Sequence, residues 1–113
     1  MHEMSIAQSM LEIVFEEAAK NGLSRVTRVE ITVGKMSAVV PASLQFCFEI
    51  LSKDSPAEGA ALDIEELPIR GRCRTCGLEF DSDGFFFACP ACRGNDVELV
   101  SGQELYIKEI EGE

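Results

Sequence analysis

Basic residues, histidine and long apolar runs are all scarce in this sequence, and each scarcity excludes a class of function. Ten lysines and arginines stand against 20 aspartates and glutamates, a formal net charge of −10 over 113 residues. Such a chain repels phosphate backbones and anionic lipid headgroups, so neither nucleic acid nor a membrane is the expected partner. No run approaches the length of a transmembrane helix, and Met1–Phe15 contains Glu3 and Glu12 but no Lys or Arg, unlike a secretory signal. With a single histidine, no Gly-rich phosphate loop and no recognisable nucleophile motif, the sequence does not read as an enzyme. Internal repeats and low-complexity tracts are also missing.

What is present is 46% hydrophobic content, enough for one modest core with a small metal-stapled insert, and five cysteines. Without a secretory leader the expected location is the cytoplasm, where paired C-x-x-C spacings signal metal or redox chemistry more often than disulfides.

Met4, Ala7, Leu11, Val14 and Ala18 recur at helical spacing, so residues 4–20 predict an amphipathic helix stopped by Asn21-Gly22. Val29, Ile31 and Val33 alternate with Arg28, Glu30 and Thr32, a half-buried strand. Pro41 suits a first helical turn, and Leu44, Cys47, Phe48 and Leu51 continue it as one stripe. Leu62 and Ile64 alternate with Asp63 and Glu65 ahead of Pro68, predicting a second short strand. Residues 70–95 show little regular periodicity and read as an insert. Beyond them Val97–Ile110 is again strand-like, interrupted at Ser101-Gly102, with Leu105 and Ile107 on one face and Tyr106 and Lys108 on the other. The expected fold is α+β: a small sheet of about three strands packed with two helices, plus an inserted zinc-ribbon-like domain. The expected boundaries are 1–69 with 96–113 for the discontinuous α+β domain and 70–95 for the insert.

Within the insert, Cys73-Arg-Thr-Cys76 and Cys89-Pro-Ala-Cys92 each place two sulfurs at i and i+3, and residues 77–88 between them can form a hairpin. Gly77 and Pro90 are turn formers at useful places. Four thiolates so arranged suit tetrahedral zinc, and equally iron as in a rubredoxin. A closed shell leaves no coordination position for water, so the expected role is structural: metal binding supplies folding free energy that the insert's few apolar residues cannot. Phe80, Phe85, Phe86 and Phe87 read as a mini-core over that site. Cys47, the cysteine left over, reads as a small buried hydrophobe.

The lone His2 follows Met1 directly. With Met1 retained, one cation can meet the terminal amine, the His2 amide and the His2 imidazole in fused small chelate rings, and the Glu3 amide can close a square plane. Nitrogen-rich tetragonal sites suit Ni(II) and Cu(II) rather than Zn(II) or Mg(II), with copper the tighter binder, so nickel selectivity would have to come from metal supply or a partner. Taken alone, however, a histidine near a chain start is more often merely solvated.

The Met1-His2-Glu3 start before an amphipathic helix, the Phe46-Cys47-Phe48 segment and the late pair of C-x-x-C motifs together resemble the HypA/HybF family, over nearly the whole chain. The resemblance implies a nickel metallochaperone with a nickel-binding α+β domain and a zinc-ribbon-like domain. It implies nickel binding at Met1, His2 and Glu3 and zinc binding at Cys73, Cys76, Cys89 and Cys92. Its partners would be a HypB-type GTPase and the large subunit of [NiFe]-hydrogenase, and a homodimer stays open. Some members carry histidines beside the cysteine pairs; this chain has none there, so its zinc site should be all-sulfur and comparatively insensitive to mild acid. A rubredoxin-like electron carrier and a zinc-ribbon protein adaptor are the competing expectations.

Overall fold

The computed structural model describes residues 3–82 and 88–113. Among these described residues, two helices, six strands and one 3-10 turn follow in the order α1 (Glu3–Lys20), β1 (Val26–Gly34), the turn Lys35–Ser37, α2 (Pro41–Ser52), β2 (Ala61–Leu67), β3 (Ile69–Cys73), β4 (Glu79–Ser82), β5 (Val97–Ser101) and β6 (Leu105–Gly112). By internal contacts the chain divides into two compact units. One comprises residues up to Thr32, Val39–Glu65 and Tyr106–Glu113; the other comprises Val33–Ala38 and Glu66–Leu105. No helix among the described residues is long and apolar enough to cross a membrane.

In the first unit α1 and α2 pack together, and the three-stranded sheet has the order β2-β1-β6. The α1 stripe is Ala7, Met10, Leu11, Val14 and Ala18. Met4, expected within it, is instead 44% exposed, because the stripe's centre lies along the 7-11-14-18 line and residue 4 falls on its margin. The helix ends as Asn21-Gly22 predicts: Gly22 takes φ +69°, Leu23 N–H donates to Ala18 C=O at 2.9 Å and Gly22 N–H to Ala19 C=O at 3.3 Å, the paired bonds of a Schellman cap. Val29 and Ile31 of β1 are buried as the alternation requires, with Leu44, Phe48, Ala57 and Leu62 completing the core. Thr32 breaks the alternation. It is fully buried on the polar face, its hydroxyl hydrogen-bonded to Glu65 Oε1 at 3.3 Å. Cys47 is half-buried rather than buried, because the α2 core line runs through Leu44, Phe48 and Ser52 and leaves position 47 on its flank.

The second unit holds an antiparallel sheet of order β4-β3-β5, with Arg70↔Asp81 and Arg72↔Glu79 paired on one side and Arg72↔Glu98 and Cys73↔Val97 on the other. Strands β3 and β4 lie where the sequence shows little periodicity. Their alternation is real, since Ile69, Gly71 and Cys73 are buried between Arg70 and Arg72, but glycine and cysteine do not register as an apolar face. The strand-like stretch after the insert also divides. Its first half, β5, pairs with β3, and only β6 completes the first sheet.

Candidate metal centre

Two short turns place the four sulfurs. In the first, which follows β3, Gly77 N–H donates to Cys73 C=O at 2.8 Å, Cys73 N–H to Leu78 C=O at 2.8 Å, and Cys76 N–H to Cys73 Sγ at 3.5 Å. In the second, Arg93 N–H donates to Cys89 C=O at 2.8 Å, Cys89 N–H to Gly94 C=O at 3.0 Å, and Cys92 N–H to Cys89 Sγ at 3.5 Å. The offsets match bond for bond, so the two knuckles are copies of one backbone motif. Each needs a left-handed residue four positions after its first cysteine, and these are Gly77 at φ +81° and Arg93 at φ +61°.

The four Sγ atoms lie within 4.8 Å of one another, with Cys73–Cys92 and Cys76–Cys89 each at 3.5 Å. Bonds of about 2.3 Å to a central zinc would put tetrahedral sulfurs about 3.8 Å apart, so the separations fit that ion. One cysteine of each pair, Cys73 and Cys89, is buried and the other is exposed.

The amides differentiate the thiols. The Cys76 N–H, then Thr75, holds Cys73 well below its ordinary value, at about 6, and the Cys92 N–H does the same for Cys89. Cys76 is pushed up to about 11: the Leu78 amide lowers it, but the contact with Cys89, burial and the remaining sulfurs outweigh that bond. Cys92 is raised likewise, with Gly94 lowering it and Cys73 and burial prevailing. Each knuckle therefore offers one sulfur shifted toward the thiolate, the form that binds metal.

The open face of this sheet carries what the sequence reading missed, a ladder of arginines. Arg70 pairs with Glu79 and Asp81, and Arg72 with Glu79 and Glu98. Arg74 meets Asp96 twice, by its guanidinium at 2.8 Å and by its backbone N–H to the Asp96 carbonyl at 2.9 Å, which ties the first knuckle to the approach of β5. The signal available in sequence was the alternation of arginine at 70, 72 and 74. These charges satisfy one another, so the row is no anion-binding surface.

Of the expected nickel residues, Met1 and His2 lie outside the described residues, as do Phe85, Phe86 and Phe87; Phe80 is half-buried. Glu3 opens α1. Its Oε2 accepts the Val40 N–H at 3.0 Å, and that bond, followed by one from its own amide, holds its carboxyl below the usual range. Val40 carried no signal in the sequence, because its backbone, not its side chain, makes the contact.

A family model described as "Hydrogenase/urease nickel incorporation, metallochaperone, hypA" matches residues 1–112. Hydrogenase maturation factor HypA of Geobacter metallireducens is 48% identical over 113 residues, covering all of both chains. That of Chlorobaculum parvum is 46% identical over 110 residues, covering 97% of each. The solution structure of the Ni metallochaperone HypA from Helicobacter pylori superposes with a TM-score of 0.67 at 26% identity, covering 99% of this chain and 97% of that one. A second solution structure of HypA protein gives 0.73 at 26% identity, covering 98% and 95%. With two helices, two three-stranded sheets, a tetracysteine centre and these relatives along its full length, the chain belongs to the HypA family of nickel-incorporation metallochaperones.

Proposed function

We propose that this protein binds Ni(II) through Met1, His2 and Glu3 and hands it to a nickel enzyme during maturation, while Cys73, Cys76, Cys89 and Cys92 hold a structural zinc. The observation that carries the reading is the match to a nickel-incorporation family over residues 1–112, a span that includes the only histidine.

The ligands are the Met1 amine, the His2 amide and imidazole and the Glu3 amide. Glu3 lies in the first described turn of α1, where N–H groups have no intrahelical acceptor, so giving up the amide proton breaks no helix bond and costs only the bond to its own carboxylate. The Glu3–Val40 bond fixes Glu3, the residue that directly follows His2 in the chain. Nitrogen ligands at a chain terminus can be replaced one at a time by an acceptor, and handover of this kind catalyses no reaction. The acceptor is the large subunit of [NiFe]-hydrogenase, and the family description extends the class to urease. A HypB-type GTPase is the expected co-worker, and the setting is the cytoplasm.

The test is a nickel titration of zinc-loaded protein carrying no extension before Met1. His2→Ala is expected to abolish tight nickel uptake and leave zinc content and fold unchanged; equal uptake by the variant sinks the reading.

A further inference from the structure

Helix α2, Pro41–Ser52, reads PASLQFCFEILS, with Glu49 as its one charged residue. Leu44, Phe48 and Ser52 face the core. A surface helix ordinarily turns charged and polar residues outward, and a helix apolar all round is ordinarily enclosed. α2 is neither. Ala42, Phe46 and Ile50, spaced i, i+4 and i+8, form the line opposite the core, with Phe46 62% and Ile50 39% exposed, and Val40 just ahead of the helix is 52% exposed. The Phe46-Cys47-Phe48 segment thus splits its aromatics, Phe48 serving the core and Phe46 standing exposed among the described residues. A single exposed apolar side chain needs no explanation, but a helical row of them marks a binding surface.

The charges beside this row indicate what covers it. Next to it, between the last turns of α2 and the start of β2, runs a cleft of ≈ 520 Å³ with Phe48 and Leu62 in its wall and Glu49, Glu58 and Lys53 around it, two carboxylates against one ammonium. A second copy of this chain would bring its own Glu49 to the same face and a further charge of −10, which opposes self-association there.

The geometry points to α2 as the docking face for a basic amphipathic helix of another protein, whose apolar stripe covers Phe46 and Ile50 and whose Lys or Arg enters the cleft between Glu49 and Glu58. This is the helix-on-hydrophobic-surface mode, with apolar anchors giving affinity and the acidic flank selecting charge.

The inference is independent of nickel, and its test contains none. Zinc-loaded full-length protein is titrated with a labelled amphipathic helical peptide of Leu and Lys, and with its Leu and Glu counterpart. The Leu/Lys peptide is expected to bind and the Leu/Glu peptide not. Phe46→Ser with Ile50→Ser, both on the solvent side, should weaken binding about tenfold with unchanged circular dichroism and zinc content. Glu49→Lys with Glu58→Lys should shift the preference toward the Leu/Glu peptide. Three results overturn the proposal: binding of neither peptide, Leu/Lys binding indifferent to the Phe46 and Ile50 changes, or self-association in sedimentation that those changes abolish.

Discussion

The Glu3 carboxylate accepts the Val40 N–H at 3.0 Å, joining the first residue of α1 to the residue that precedes Pro41, the start of α2. A side chain within the proposed nickel motif is thereby committed to holding backbone, so the proposed ligand from Glu3 is its amide nitrogen rather than its carboxylate.

Replacing Glu3 tests that division of labour. Glu3→Ala is expected to reduce nickel affinity about tenfold, as loss of a supporting contact typically does, while zinc content stays unchanged. Because the carboxyl is held below its ordinary value, the bond is fully present above the unfolded carboxyl's range and is lost only as pH falls through the lowered folded value. Nickel release between about pH 7 and 5 should therefore track protonation of the nitrogen ligands and be equally steep in Glu3→Ala, as a nickel titration across that range would read.

The thiol asymmetry predicts the protons released when zinc binds. Near neutrality Cys73, held at about 6, is prepared as a thiolate and Cys89 is shifted the same way, while Cys76 and Cys92 are held protonated. Zinc uptake by the stripped protein should release about two to three protons, fewer than four, and strengthen as pH rises. Calorimetry in buffers of different ionisation enthalpy measures this directly, and release of none or of all four would contradict the assignment.

Removing zinc should act on one unit only. The sheet β4-β3-β5 has few buried large apolar residues beyond Ile69, whereas α1, α2 and β1 share a packed core. Chelation is thus expected to abolish amide-exchange protection at Ile69–Cys73 and Val97–Ser101 while Ala7–Ala18 and Leu44–Phe48 stay protected. A stripped sample that loses protection throughout would show that the units do not fold separately. Elemental analysis of the same sample should give zinc, and a visible thiolate-to-iron absorption would replace the structural role with electron transfer.

The matched knuckles make a paired prediction from their left-handed residues. Gly77→Ala places a Cβ at φ +81° and should lower the stability of the zinc-loaded protein by about 1 kcal/mol. Arg93→Gly relieves the equivalent position at φ +61° and should not lower it. Thermal midpoints of the two variants suffice as the measurement.

Much of this was legible in sequence where residue type alone reports environment. The branched residues of β1, the Asn21-Gly22 stop, Pro41 at the head of α2 and the quartet of cysteines all declare themselves. Strands β3 and β4 did not, because Gly71 and Cys73 fill a buried face without looking apolar and because their exposed face is held by charge pairs. The allegiance of β5 was hidden too, because strand-like composition does not say which of two sheets a strand joins. Val40 acts through its backbone N–H, which almost every residue carries, so no side-chain pattern could reveal it.

The central claim, nickel on an amino-terminal nitrogen set, is tested most directly by Ni K-edge absorption of nickel-loaded protein with its native start, compared with protein bearing one glycine before Met1. The account predicts a four-coordinate, nitrogen-rich planar spectrum for the native start and its loss in the extended chain. Sulfur in the nickel shell, or the same spectrum from both proteins, would contradict it.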